Sequence, residues 1–247
     1  MLAVRPPAYF PDFAFAALLA TAKRAVLADT FAFSRQSAHH RTRIATSQGP
    51  MWLTVPCRHS AAPDLARVPL ASGEPWARRH RRALHAAYAS APFYPYHADA
   101  LDALLLGRSW THLADLTCAT TAWLCQALGV PAPTRASALP GAPATLGGIV
   151  AAAGAPAALL ALPDAAPRDA RALGTTRLSI RLGVLHAEEA PRRQVFPGFV
   201  PGTSALDLVM NYGPAAAERL RAAAVVTASA GAPSGAEADA SERLASV

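Results

Sequence analysis

At 247 residues with 52% hydrophobic side chains, the chain can bury a sizeable core, which excludes wholesale disorder. Its net charge of +7 resides in residues 1–100, which hold 12 Lys and Arg against 5 Asp and Glu, while the remainder balances at 11 against 11. That asymmetry points to an anionic partner for the first part of the chain. Cys57, Cys118 and Cys125 lack metal-ligand spacing and are odd in number, which argues against a metal centre or a disulfide framework.

In chain order, Leu2–Arg5 reads as a first strand. Phe13–Leu19 follows as a helix, with Asp12 as its N-cap, and Arg24–Asp29 as a short buried strand ending in a carboxylate. Strand, loop, helix, strand is the opening of a βαβ unit, so a mainly parallel sheet is expected. The polar, basic stretch Phe33–Ile44 reads as a loop running into a strand. Met51–Pro56 reads as another strand, after a turn at Gly49-Pro50. Trp76, His80, Leu84 and Tyr88 share one face of a helix whose other faces carry Arg78, Arg79, Arg81 and Arg82.

Helices over 97–106 and 110–128 come next. The alanine- and proline-rich segment 131–176 gives little periodicity and reads as a loosely specified connector with a short helix near 149–153. A strand over Thr176–Leu185 and a helix over Ser204–Asn211, capped by Ser204 and closed by Gly213, complete a domain over 1–225. Residues 226–247 read as a disordered tail. The expected fold class is α/β: one domain, a mainly parallel sheet flanked by helices. Without a signal pattern or an uninterrupted spanning apolar run, a cytoplasmic protein with no transmembrane segment is expected.

Arg35, Arg41 and Arg43 can grip phosphate or carboxylate in bidentate fashion, and His39 and His40 beside them can exchange protons near neutral pH. A loop of this kind after a parallel strand sits where α/β proteins bind ligands. His80 is either a packed histidine or part of an anion site with its arginine neighbours. Asp207, between Leu206 and Leu208, must be paired or functional if buried, and Asn211 lies one turn later on the same side. Phosphate-binding Gly-x-x-x-x-Gly-Lys, dinucleotide Gly-x-Gly-x-x-Gly and Gly-x-Ser-x-Gly motifs are missing, so no cofactor is named. The arginine helix lacks the interleaved aromatics of a nucleic-acid platform, and no DNA partner is expected.

Several segments together resemble the WbqC-like family, found near bacterial O-antigen and other surface-polysaccharide gene clusters. Pro6-Pro7-Ala8-Tyr9-Phe10-Pro11-Asp12 is similar to its opening Gln-Pro-x-Tyr-Phe-Pro-Trp, and Asp29 to its strand-ending aspartate. Arg35 through Ile44 resembles a Lys/Arg-x-Ser-x-x-Asn-Arg-x-x-Ile stretch, with His40 in place of the asparagine. Gln194 through Gly213 follows the pattern Gln-x-Phe-x-x-Phe-x-Pro-x-x-Ser-x-x-Asp-Leu-x-x-Asn-x-Gly.

The resemblance implies a role in surface-polysaccharide assembly. The reading it supports is a transferase that modifies an activated sugar with an acyl or aminoacyl group. The partners would be an anionic small molecule, either a nucleotide-sugar or an activated acyl donor, and polysaccharide-assembly enzymes. Arg35, Arg41 and Arg43 would hold the anion and His40 or His80 would act as general base. Asp207 would orient that base or bind sugar hydroxyls, with Asn211 beside it and Tyr9 and Ser204 completing the walls. The alternative is a non-catalytic binding or scaffold protein in an assembly complex.

Overall fold

The computed structural model describes residues 1–34, 37–58, 64–71, 75–176 and 178–229. The first elements follow the expected order: β1 (Leu2–Arg5), α1 (Phe13–Thr21) and β2 (Arg24–Leu27). Asp12 caps α1 by accepting from the Phe15 amide at 2.9 Å. Helix α1 is apolar on nearly every side because it is enclosed; burying Phe13, Phe15, Leu18 and Leu19 stabilises the fold by about 1.5–3 kcal/mol each.

Strands β3 (Arg41–Thr46) and β4 (Gly49–Thr54) form an antiparallel hairpin of their own, outside the main sheet. Its turn falls at Ser47-Gln48, and Gly49, at φ 93, opens the second strand instead of sitting in the turn. Helices α2 (Trp76–Tyr88), α3 (Tyr94–Leu106) and α4 (Leu113–Ala127) follow. On α2 the buried face is Trp76, His80, Leu84, Ala87 and Tyr88, as its spacing predicts. Among the outward arginines, Arg81 is held by a fork to Asp102 of α3 at 2.6 and 2.8 Å.

The segment 131–176 is no connector. It supplies β5 (Thr134–Arg135), α5 (Leu146–Ala152), β6 (Ala158–Ala161) and α6 (Ala166–Gly174), with β6 in the middle of the sheet. A strand buried on both faces shows no alternation of polarity, so its short run of Ala and Leu carries no strand signature. The chain continues with β7 (Arg181–Ala187), α7 (Leu206–Tyr212), α8 (Ala216–Ala222) and β8 (Ala224–Ala228). Strand β8 pairs antiparallel with β7, so residues 226–228, expected in a disordered tail, are part of the sheet; 230–247 lie outside the described residues.

The six-stranded sheet runs β5-β2-β1-β6-β7-β8, parallel throughout except for the β7–β8 pair. Its two faces are read from alternate residues. Ala3, Leu27, Leu160 and Leu185 pack with α1, α4 and α8, while Leu2, Val4, Leu159 and Val184 pack with α5 and α6. A third core joins Tyr9 and Phe10 to the hairpin, to α2 and α3, and to Leu206 and Met210 of α7. No helix among the described residues is long and apolar enough to cross a membrane.

Candidate functional site

A cleft of about 720 Å³ opens where the loops after β1 and β6 part. The strand order turns at this point: β1 leads to β2 and β5 on one side, while β6 and β7 extend on the other. Loops on either side of such a reversal run to opposite faces of the sheet and leave a crevice at the carboxyl ends of the strands. The volume is ample for a small-molecule ligand.

The β1–α1 loop forms one wall, and its geometry is imposed. Phe10 takes φ 45, a left-handed conformation that costs a bulky residue about 1–3 kcal/mol. Hydroxyl groups from distant elements hold it there. Thr42 and Ser204 donate to the Phe10 carbonyl at 2.9 and 3.1 Å, and Thr120 and Thr121 donate to the Ala8 carbonyl at 3.3 and 3.2 Å. The Ser204 amide donates to the Arg43 carbonyl at 2.7 Å, and the Ala205 amide to Pro11 at 2.9 Å. The two sequence segments from opposite ends of the chain are thus one backbone junction, including a bridge between Asp12 and Ser204.

The cleft interior is charged in both senses. Arg5, at the end of β1, forks onto Asp164 after β6 at 3.1 and 2.8 Å. Partial burial works to raise the Asp164 pKa, but this fork outweighs it and holds the carboxyl below its ordinary value. Asp169 on α6 is only 1% exposed. Its Oδ1 accepts from Arg168 Nε and Nη2 at 3.1 and 3.0 Å, and its Oδ2 has no partner among the described residues. Burial raises the Asp169 pKa, with Arg168 opposing. His39 also borders the cleft. Its pKa is pushed down to about 4, first by burial and then by the charges of His40 and Arg5, so the ring is neutral at pH 7. The Ser34 amide donates to its Nδ1 at 3.4 Å, which assigns the proton to Nε2.

A groove of about 200 Å³ continues from the cleft, sharing Asp12, Ser37 and Ala38 with it. Arg41, Arg43 and Trp52 of the hairpin line this groove. Trp52 is 53% exposed, and both guanidinium groups lie over its ring, at 4.7 and 5.7 Å from the centroid. Arginines at cation–π distance on an accessible ring make a basic, stacking surface.

The residues expected to carry the chemistry divide between three places. Arg41 and Arg43 reach the groove; Arg35 lies outside the described residues. His40 packs against Phe33 (5.6 Å between centroids) beside His39, and it is His39 that borders the cleft. Tyr9 and His80 pair in the core, hydroxyl to Nδ1 at 2.9 Å, with Tyr9 fully buried. Burial, followed by the charge of Arg79, lowers the His80 pKa to about 4 despite a hydrogen bond to the Thr54 backbone. This pair therefore underlies the hairpin, and neither Tyr9 nor His80 is among the residues that line the cleft or the groove.

Asp207 likewise lies away from the cleft and the groove. It is fully buried and accepts from Arg192 Nη2 and Gln194 Nε2, both at 3.1 Å. Arg192 bonds Glu189 at 2.7 Å and lies against the Phe13 and Phe199 rings. Gln194 clamps both backbone groups of Val200. Asn211 turns back to the Asp207 carbonyl at 2.8 Å. Burial raises the Asp207 pKa, with Arg192 and Gln194 opposing, as in a carboxylate consumed by a structural knot. Ser204 bonds backbone carbonyls and is buried in the junction, so it too holds the wall and does not form its surface.

The cleft residues that sequence reasoning missed, Arg5, Asp164, Arg168 and Asp169, lie beside strands that gave weak signals. The available signal was Ala158–Ala161 followed by Leu162-Pro163-Asp164, a short apolar run stopped by proline and a carboxylate before a helix.

Residues 6–219 match the WbqC-like protein family. The chain is also similar to the uncharacterized protein Rv1507c of Mycobacterium tuberculosis. The two are 28% identical over 219 residues, which cover 86% of this chain and 94% of that protein. No solved structure matches.

Proposed function

The chain belongs to the WbqC-like protein family, and on that premise we propose that it is a cytoplasmic transferase of bacterial surface-polysaccharide assembly. In this reading it binds an activated, phosphate-bearing sugar in the cleft, and an amine or hydroxyl of that sugar takes the acyl or aminoacyl group from an activated donor. The amide or ester forms as the donor's acyl–carrier bond breaks and the carrier leaves with the proton. The observation that carries the reading is the continuity of a ligand-sized cleft at the strand reversal with the Arg41–Arg43–Trp52 groove. The groove arginines hold the phosphates, and Trp52 offers a ring for a base or sugar to stack upon. His39, neutral and at the cleft edge, keeps its Nδ1 on the Ser34 amide and donates from Nε2 to the ligand. His40, adjoining it, is the histidine that receives a proton from an incoming amine or hydroxyl. Tyr9, His80, Ser204, Asp207 and Asn211 act as positioning residues.

Thermal melting against uridine, thymidine and guanosine diphospho-sugars tests this. A stabilising shift that disappears in Arg41→Ala supports the reading, and unchanged melting across the panel defeats it. A second reading, a binding or scaffold protein among assembly enzymes, is favoured by the internal use of His80 and Asp207. Full complementation by a His39→Ala, His40→Ala double variant that retains ligand binding would select it over catalysis.

A further inference from the structure

The cleft and its groove differ in charge, and one buried oxygen of a cleft-lining residue lacks a partner among the described residues. The groove presents Arg41 and Arg43 against Asp12 alone. The cleft presents Asp12, Asp164 and Asp169 against Arg5 and Arg168. Asp164 is already answered by Arg5, and Asp169 Oδ1 by Arg168, which leaves Asp169 Oδ2 without a hydrogen bond among the described residues. A buried carboxylate oxygen left in this state carries a desolvation cost that a hydrogen-bond donor on a ligand would recover. Arg168, which bonds Asp169 Oδ1, has a side chain 58% exposed, and Asp169 is among the residues that line the cleft.

We propose that Asp169 is the sugar-recognising residue of the cleft, its Oδ2 accepting a hydrogen bond from a hydroxyl or amino group of a sugar whose phosphates lie on Arg41 and Arg43. This rests on the activated-sugar reading and extends it. The phosphate end is assigned to the basic groove, and the donor-bearing end to the acidic floor beside α6. A ligand lacking the sugar therefore fills the groove and leaves Asp169 unanswered. An amino sugar, ammonium against carboxylate, binds more tightly than a hydroxyl sugar if the amine is what Asp169 reads.

The experiment is calorimetric titration of the full chain and of Asp169→Asn. The nucleoside diphosphate that binds best among those of uridine, thymidine and guanosine is compared with its glucose and glucosamine conjugates. Asparagine retains an oxygen for Arg168 and the side-chain shape, so the variant folds, and ligand-free melting checks this. The expected result is that a sugar conjugate binds the native chain at least tenfold more tightly than the bare diphosphate. In Asp169→Asn that advantage vanishes, diphosphate affinity is unchanged, and ligand-free Tm is equal or higher. The glucose and glucosamine arms distinguish hydroxyl from amine as the donor. If diphosphate binds and the sugar adds nothing, or if the variant keeps the advantage, the assignment of Asp169 is wrong while the groove reading stands. A lower ligand-free Tm with all ligands weakened equally makes Asp169 structural and also overturns the proposal. If no diphosphate or conjugate binds, the activated-sugar reading fails, and this inference fails with it.

Discussion

The floor of the cleft and the knot around Asp207 are both clusters of buried or half-buried charge, yet they differ in how far their ion pairs are exposed. In the knot, Asp207, Arg192, Glu189, Gln194 and Asn211 bond one another and the backbone, tying the 189–202 segment to α7, although Arg192 Nε is buried without a hydrogen bond among the described residues. In the cleft, Asp169 Oδ2 is unanswered, and Arg5 and Arg168 make pairs that are exposed on at least one side. A half-exposed pair is worth little and exchanges readily for a ligand, whereas a buried pair resists being broken. The lesson is that His80 and Asp207, with the most distinctive sequence context, build the scaffold, while the cleft-lining Arg5, Asp164, Arg168 and Asp169 are plain in sequence.

Breaking the knot gives the largest effect on stability. Asp207→Ala leaves Arg192 buried with Glu189 alone, and denaturant titration should show a loss of about 3–5 kcal/mol. A loss below 1 kcal/mol would mean that the knot is not structural.

Next is acid. His39 and His80 have pKa values near 4 when folded against 6.5 when unfolded, so the unfolded chain binds protons first as pH falls. Their contribution is complete above pH 6.5 and is lost progressively towards pH 4, about 3 kcal/mol for each ring at most. Urea midpoints between those pH values should fall, and the slope should flatten in His80→Gln.

Gly213 closes α7 at φ 51, and a Cβ there would stand 2.4 Å from the Phe93 ring. Gly213→Ala should cost about 1–3 kcal/mol, again by denaturant titration. At the other extreme, Arg41→Ala should change stability by no more than about 0.5 kcal/mol while abolishing the ligand-induced thermal shift. A variant of the groove that unfolds, or one of the knot that melts normally and loses binding, would collapse the distinction between the two regions.

Much of the scaffold was legible because its signals are local. Asp12 before an apolar run marks the start of α1, the four-residue spacing from Trp76 to Tyr88 marks α2, and Gly213 marks the end of α7. The sheet centre was not legible, because β6 is four small or aliphatic residues enclosed on both faces. With it went Asp164, Arg168 and Asp169, whose importance depends on β6 lying beside β1. Arg41 and Arg43 were legible as basic residues, but their joint placement over Trp52 follows from the hairpin register, in which Arg43 faces Trp52. His80 and Asp207 stood out as polar groups in apolar company. Sequence alone cannot tell whether such a group is answered by the protein or by a ligand, since that depends on partners 71 residues away for His80 and 15 for Asp207.

The central claim is that ligand meets the cleft and groove and not the knot. Amide hydrogen exchange with and without a bound diphospho-sugar tests it most directly. The account predicts added protection in the segments 37–45, 144–146 and 164–172, with 204–212 unchanged. Protection confined to 204–212, or to surfaces away from the cleft, would contradict it.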